Sequence, residues 1–280
     1  MASRPTYPVY LLPGLTDPQP GQRLELAGPE GRHAVAVRRH RIGQELVLTA
    51  GDGCWARGPI VEIRGRDSLI LAVREAGRQP APDPAITVVQ ALPKGERADL
   101  AVELLTEVGV DRIVVWQAHR CVAKWGPDKV DRGLARWRRT AAEAAKQSRR
   151  VWLPVVEGPV QLSGLVEIVR SADHSYVLHE GAAASLVDDL AAATGSVEAA
   201  TGRAGVAAGE TFALVVGPEG GIDDEELAEL VAAGADEVRL GPTVLRTSTA
   251  GAVAATLVSA AIGRLSRDRP QGSGSTGKPS

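Results

Sequence analysis

From Ile86 onward the chain alternates short apolar, β-branched runs with longer amphipathic stretches, and this rhythm narrows the fold more than any other feature. "ITVVQAL" reads as a buried strand. "GERADLAVELLTEVGV" reads as a helix with Leu100, Leu104, Leu105 and Val108 on one side. "RIVVWQA" is the next strand, and a long helix covers about 128–149. "SYVLHE", "TFALVVG" and "EVRLG" are further strands, with "DDEELAELVAAG" a helix between the last two. "STAGAVAATLVSAAIGRL" closes the pattern as an apolar helix. Strands separated by helices line up in parallel, so an α/β fold on a parallel sheet is expected.

Two of these strands end alike. "LVVGPEGGIDDEE" runs into Gly217-Pro218, then Gly220-Gly221, then Asp223, Asp224, Glu225 and Glu226. "VRLGPTVLRTSTAG" runs into Gly241-Pro242, with Thr247 and Ser248 as N-cap candidates for the helix that follows. Ligands of open α/β sheets bind beyond the carboxyl ends of the strands, and glycines let backbone approach them closely. The turn is neither GxGxxG nor GxxxxGK[ST]. A phosphate would want bare helix amides and a lysine. Four acids at the helix start complement the helix dipole and repel phosphate. The expected ligand is therefore neutral or cationic and held by backbone.

The totals remove several classes. The chain has 280 residues, 44% of them apolar, and a net charge of -2, which fits a globular protein of one large or two ordinary domains. Its apolar runs are far shorter than the ~20 residues of a bilayer span. No secretory signal is read at "MASRPTYPVYLLPG", so a cytoplasmic location is expected. Cys54 and Cys121 stand apart with no Cys/His ligand spacing, so neither a metal nor a disulfide framework is expected.

Before Ile86 the texture differs. Residues 1–77 carry short β-like runs ("YPVYLL", "QRLEL", "QELVLTA", "DSLILAV") and one helical piece, "EGRHAVAVRRHR", which suggests a small barrel. Proline-rich residues 78–85 read as a linker and 86–265 as the α/β domain. "AAATGSVEAATGRAGVAAGE" reads as a flexible loop and 266–280 as a disordered tail. Charge is also uneven. From Arg112 to Arg150 there are 11 lysines and arginines against 3 acids, a local excess of +8 in an acidic chain.

"LVVGPEGGI" with "LGPTVLRTSTA" downstream resembles the signature of the ribosomal RNA small subunit methyltransferase E family, within the SPOUT class. The similarity continues, in the family's order, through "QALPKGERADLAVELLTEVGV", "RCVAKW", "RWRRTAAEAAKQSRR" and "LHE". The resemblance implies a SPOUT-type parallel sheet with a C-terminal trefoil knot and an N-terminal PUA-like β-barrel. It implies S-adenosylmethionine (SAM) as methyl donor and uracil N3 at one uridine of 16S rRNA, in the small ribosomal subunit, as target. A homodimer is implied as the working unit. The donor pocket it implies comprises Leu178, His179 and Glu180, then Val216, Gly217, Pro218, Glu219, Gly220 and Gly221, then Leu240, Gly241, Pro242 and Leu245. Many members begin with a basic-aromatic pair; this chain has "PTYPVYLL", with Arg4 the nearby arginine.

Taking the proton from N3 leaves negative charge on the uracil, which a nearby cation stabilises. Arg246, directly after the second Gly-Pro loop, is the first candidate, with pairing to a carboxylate such as Glu219 as the structural alternative. Glu219 is a candidate base or an orienting group. Neither loop contains His or Cys, so no covalent cysteine intermediate is expected.

On the long helix, Val130, Leu134, Trp137, Ala141 and Ala145 form the core face, while Arg132, Arg136, Arg139, Lys146 and Arg150 lie roughly opposite. With Arg120 and Lys124 these are expected to track an RNA backbone. Lys94 and Arg97 are expected near the pocket mouth. Gln147, Ser148 and Arg150 match the family motif. Trp125 is a base-stacking residue or else a core or dimer-interface residue. His33, Arg38, Arg39 and Arg41 form the basic piece of the barrel. The last helix is apolar nearly all round, so a second subunit is expected to cover it, with Ala250, Gly251, Ala254 and Ala255 allowing close approach.

Overall fold

A computed structural model describes residues 7–95, 97–193 and 207–265. The loop expected after residue 193, the expected tail and Arg4 fall largely or wholly outside the described residues. The N-terminal part forms a six-stranded sheet from β1 (Val9–Leu11), β2 (Arg23–Leu26), β3 (Glu45–Thr49), β4 (Cys54–Arg64), β5 (Ser68–Ala72) and β6 (Glu75–Arg78). The order is β1-β3-β4-β5-β2, with β6 also on β4, and every pairing but β1–β3 is antiparallel. The hub, β4, is missing from the strands expected above. Its residues nonetheless alternate inward and outward from Cys54 to Ile60. Gly58 interrupts the apolar pattern for a reason: a Cβ there would lie 1.8 Å from the Ala72 carbonyl oxygen of the neighbouring strand. Leu26, Leu46, Leu48, Ile60, Leu69 and Leu71 fill the interior. The expected helical piece is α1 (Gly28–Arg32) followed by a π-helical turn, His33–Val37.

The remaining strands are β7 (Ala85–Ala91), β8 (Arg112–Trp116), β9 (Val155–Val160), β10 (His174–Leu178), β11 (Ala184–Ser185), β12 (Thr211–Val216) and β13 (Asp236–Arg239). They make a seven-stranded parallel sheet in the order β11-β13-β10-β12-β7-β8-β9, as the alternation predicts. The helices are α2 (Arg97–Glu107), α3 (Pro127–Gln147), α4 (Leu162–Ser171), α5 (Leu186–Ala193), α6 (Asp224–Ala232) and α7 (Thr247–Ala261). β9, α4, β11 and α5 are additions to the sequence reading. Among the described residues no helix is long and apolar enough to cross a membrane.

Two charged residues take places different from those expected. Lys146 is not on the exposed face of α3: it is buried, with its ammonium 2.6 Å from Glu30 and 2.7 Å from Glu143. Its aliphatic stem continues the Ala141–Ala145 stripe while its head finds carboxylates at the junction with α1. Arg150 is also enclosed. Its guanidinium donates to the carbonyls of Thr106 (2.7 Å) and Val110 (2.9 Å) and lies 3.7 Å from Asp111. Arg264 donates to the same carboxylate at 2.6 and 3.0 Å, and the Ile86 amide donates to it at 2.9 Å. Asp111 therefore joins the start of β7, the end of α3 and the end of the chain's last helical segment.

α7 differs in two respects. Its N-cap is Arg246 and not Thr247 or Ser248, both of which are buried within the first turn. Its small residues serve the chain's own sheet. A Cβ on Gly251 would stand 3.1 Å from Leu105 and Val216 side chains, and Ala254 and Ala255 are fully buried. The face left outward carries Val253, Thr256 and Ala260.

Hydrogen bonds join the N-terminal sheet to the segment between α3 and β9. Gly53 N donates to Val151 O (2.9 Å), Leu153 N to Gly51 O (2.8 Å), and the Thr49 hydroxyl to Val151 O (3.1 Å).

Candidate functional site

The carboxyl ends of β10 and β12 and the loop after β13 open onto one cavity of about 280 Å³. Leu178, His179 and Glu180 line it from the end of β10. Val216, Gly217, Pro218, Glu219, Gly221 and Ile222 line it from the first Gly-Pro loop, and Val244, Leu245, Arg246, Thr247 and Ala250 from the second. Arg97, at the start of α2, completes the wall. The structure thus brings together most of the pocket residues expected from sequence. Gly220, Leu240, Gly241 and Pro242 are not among the lining residues. Ile222, Val244, Thr247 and Ala250 are, and all four stand in the two motifs that signalled the pocket.

Glycine is needed in the first loop for close packing. A Cβ on Gly217 would sit 2.6 Å from Ile222 Cγ1, and Gly221 has a φ of +75°. Gly220 turns the other way: a Cβ there would lie 3.2 Å from Arg120 O and 3.3 Å from Arg120 Cβ. A larger side chain at this position would therefore press on the loop after β8 and not on the cavity.

Two of the four acids, Asp223 and Glu226, are engaged locally. Asp223 caps α6 in a capping box with Glu226. Glu226 is buried and also accepts from His119 N at 2.9 Å. Arg120 donates to Ile222 O at 3.2 Å and lies 3.3 Å from Asp223 and 3.9 Å from Asp224. Glu219 accepts from Lys94 N at 3.1 Å, so one of its oxygens is engaged and Arg246 is not its partner there. His179 Nδ1 lies 2.7 Å from Glu237. The Cys121 thiol is buried, which pushes its pKa up and fits the expectation of no cysteine nucleophile. Among the described residues no cluster that could hold a metal ion is found.

A model of the RNA methyltransferase domain family matches residues 80–259. The ribosomal RNA small subunit methyltransferase E of Mycobacterium tuberculosis is 48% identical over 243 residues, spanning 85% of this chain and 87% of that protein. The chain belongs to the ribosomal RNA small subunit methyltransferase E family. Of the solved structures it resembles, a candidate methyltransferase from Legionella pneumophila, in complex with the bound cofactor SAM, superposes with a TM-score of 0.74 at 28% identity, covering 91% of this chain and 98% of that one. A family member from Neisseria gonorrhoeae shares the fold, with a TM-score of 0.72 at 22% identity over 91% of this chain and 97% of that one.

The basic residues expected at this family's RNA face separate into two groups. Arg132, Arg139, Lys124, Lys94, Arg38 and Arg39 are exposed. Arg136 is exposed and paired with Asp99 across to α2. Arg38 reaches Gln147 Oε1 at 3.5 Å, and both line a second cavity, of about 350 Å³, with Tyr10, His33, His40 and Arg149. Arg150 and Lys146 belong to the interior, as described, because each finds acceptors at the end of α3: the Thr106 and Val110 carbonyls with Asp111 for one, Glu30 and Glu143 for the other. Trp125 is partly buried: its ring is edge-on to Trp137 at 5.7 Å, and a Cβ on Gly133 would fall 2.6 Å from it. That packing makes it a core residue.

Proposed function

We propose that the chain transfers a methyl group from SAM to N3 of a uracil in 16S rRNA of the small ribosomal subunit. The observation that carries this reading is the convergence of both Gly-Pro loops and the His179 turn on one cavity. The lining supports SAM as the occupant. The wall is largely backbone and apolar side chain, it carries the carboxylates of Glu180 and Glu219, and Arg97 and Arg246 provide cations. A ligand with a sulfonium, an ammonium and a carboxylate matches that mixture, whereas a polyphosphate would meet the acids first.

The donor, when bound, supplies an electrophilic methyl group. The chain's part is positioning and charge. Holding two reactants in line can contribute ~7–11 kcal/mol to lowering a barrier. Arg246 is exposed at the cavity and fixed at its backbone as the N-cap of α7. Its guanidinium is proposed to stabilise the charge that deprotonated N3 shares with the uracil carbonyls. Glu219 is proposed as an orienting group, since the Lys94 amide holds it across the two loops. Lys94, Arg97, Lys124, Arg132, Arg139, Arg38, Arg39 and Gln147 are proposed to follow the RNA.

The finer architecture is part of the same proposal. The N-terminal sheet is read as a PUA-like barrel, and the segment from β10 to α7 as a trefoil knot. The sheet order supports the latter, because β10 lies between the two later strands, β12 and β13, that lead into the Gly-Pro loops. A cytoplasmic homodimer, meeting through Val253, Thr256 and Ala260 of α7, is proposed as the working unit.

The test is mass mapping of 16S rRNA after incubating purified chain, SAM and small subunits lacking the modification. One added methyl on a uracil base is expected. A methyl on a ribose, or none, would overturn the assignment.

A further inference from the structure

We propose that Arg120 is a positioning residue that grips the donor loop and ties it to the loop after β8, and is not a phosphate contact. This rests on the reading of the cavity as the SAM site. Both terminal nitrogens of its guanidinium are directed at one short segment. Nη1 donates to Ile222 O at 3.2 Å, and Nη2 lies 3.3 Å from Asp223 Oδ2 and 3.9 Å from Asp224 Oδ1. A planar fork held at both ends fixes direction as well as distance, which a lysine in the same place does not do. Ile222 itself lines the cavity, so the carbonyl that Arg120 holds belongs to the wall.

Three further features make the grip continuous. Gly220 lets the Arg120 backbone approach the donor loop closely, as the 3.2 Å from a built Cβ to Arg120 O shows. His119 N donates to buried Glu226 at 2.9 Å, and Lys94 N donates to Glu219 at 3.1 Å. The donor loop is thus gripped from the ends of both β7 and β8. The acids of α6 acquire a second use here: Asp223 caps its helix and anchors Arg120 at once. The Arg120 side chain is 45% exposed, so the grip is partly screened and the effect of removing it is modest.

The experiment is calorimetric titration of full-length protein with SAM, beside filter binding to a 16S rRNA fragment. Arg120→Ala is expected to weaken SAM binding by about tenfold, equivalent to about 1.4 kcal/mol, and to leave RNA affinity and its salt slope within about twofold. Arg120→Lys, which keeps charge but not the fork, is expected to lie between. Asp223→Asn keeps a good N-cap. Its effect on SAM affinity is expected to be less than additive with Arg120→Ala, because both remove one interaction. Thermal melts of each variant verify folding, and Arg120→Lys serves if the alanine variant is unstable. Weakened RNA binding with unchanged SAM binding would make Arg120 a phosphate contact and overturn the proposal. Unchanged binding of both ligands would reduce it to a surface ion pair. Failure of the unsubstituted protein to bind SAM would sink the methyl-transfer reading itself, and this proposal with it.

Discussion

Replacing Asp111 with alanine is expected to destabilise the α/β unit by about 3 kcal/mol, the lower end of the ~3–5 kcal/mol that follows removal of one partner from a buried ion pair. The side chains of Asp111, Arg150 and Arg264 are 15%, 13% and 12% exposed, so solvent screens little of their interaction. Burial holds the Arg150 pKa down to about 10, with Asp111 pulling it up and Arg264 pushing it further down, and it remains cationic at neutral pH. Without the carboxylate, two enclosed guanidiniums face each other and the Ile86 amide is left without its acceptor. Both arginines keep carbonyl acceptors, at Thr106 and Val110 for one and at Pro84 and Gly109 for the other, which places the cost at the lower end. Urea unfolding followed by tryptophan fluorescence measures it, since Trp116 and Trp137 are buried in this unit. Asp111→Asn, which retains an oxygen for Ile86, should cost less. A shift within about 0.5 kcal/mol, the range of ordinary surface changes, would refute the view that this carboxylate holds the amino ends of β7 and β8 together with the ends of α3 and α7. Arg150→Ala makes the companion point: it should lower stability and leave RNA affinity unchanged.

Gly217→Ala forces a methyl to within 2.6 Å of Ile222 Cγ1; overpacking of this kind costs about 1–3 kcal/mol, and SAM affinity measured by calorimetry should fall while the N-terminal sheet is untouched. Reversing charge at Arg132 and Arg139 should weaken RNA binding and flatten its salt dependence by roughly 0.7–0.9 for each phosphate that is no longer neutralised, with SAM affinity constant; an unchanged salt slope would assign that face to solvent. Val253→Arg, on the outward face of α7, should yield folded monomers in sedimentation, whereas Ala254→Arg should unfold the chain because that position is fully buried. Burial lowers the His40 pKa below its ordinary value. The unfolded chain therefore takes up the proton first, and the N-terminal sheet should lose stability as pH falls through the ordinary histidine range; His40→Gln should remove that dependence in a pH series of melts.

What the sequence makes legible depends on how local the cause is. The parallel sheet is legible because period and spacing are local properties, and the pocket because two strand ends carry the same unusual turn. β4 escapes because Gly58-Pro59 breaks its apolar texture, and the need for that glycine lies in β5, not in its own neighbours. Arg120, Lys146 and Arg150 show the limit for charge. All three are basic residues of the same positively charged segment. One grips the donor loop, one meets Glu30 of α1, and one meets Asp111, and none of those partners follows from spacing along the chain. The acids of α6 illustrate the converse. That they complement a helix start is readable from the sequence, but their bonds to His119 and Arg120 are not, and none of the four lines the cavity.

Between the N-terminal sheet and the segment after α3, two main-chain bonds, Gly53 to Val151 and Leu153 to Gly51, stand beside the Thr49 hydroxyl, the Trp152 indole on Gln79 O and the Lys146–Glu30 pair. A main-chain bond is indifferent to which side chain its residue carries. Those two bonds survive substitutions that spare the side-chain contacts, provided that Gly51 and Gly53, packed under Leu153 and Trp152, keep their positive φ of +87° and +88°. An inserted or deleted residue between Arg150 and Leu153 is another matter, because it shifts the register and breaks the two backbone bonds together. The spacing between the N-terminal sheet and the cavity is thus inherited as a length of chain. In a lineage whose sequences drift, such a length outlasts the residues that spell it.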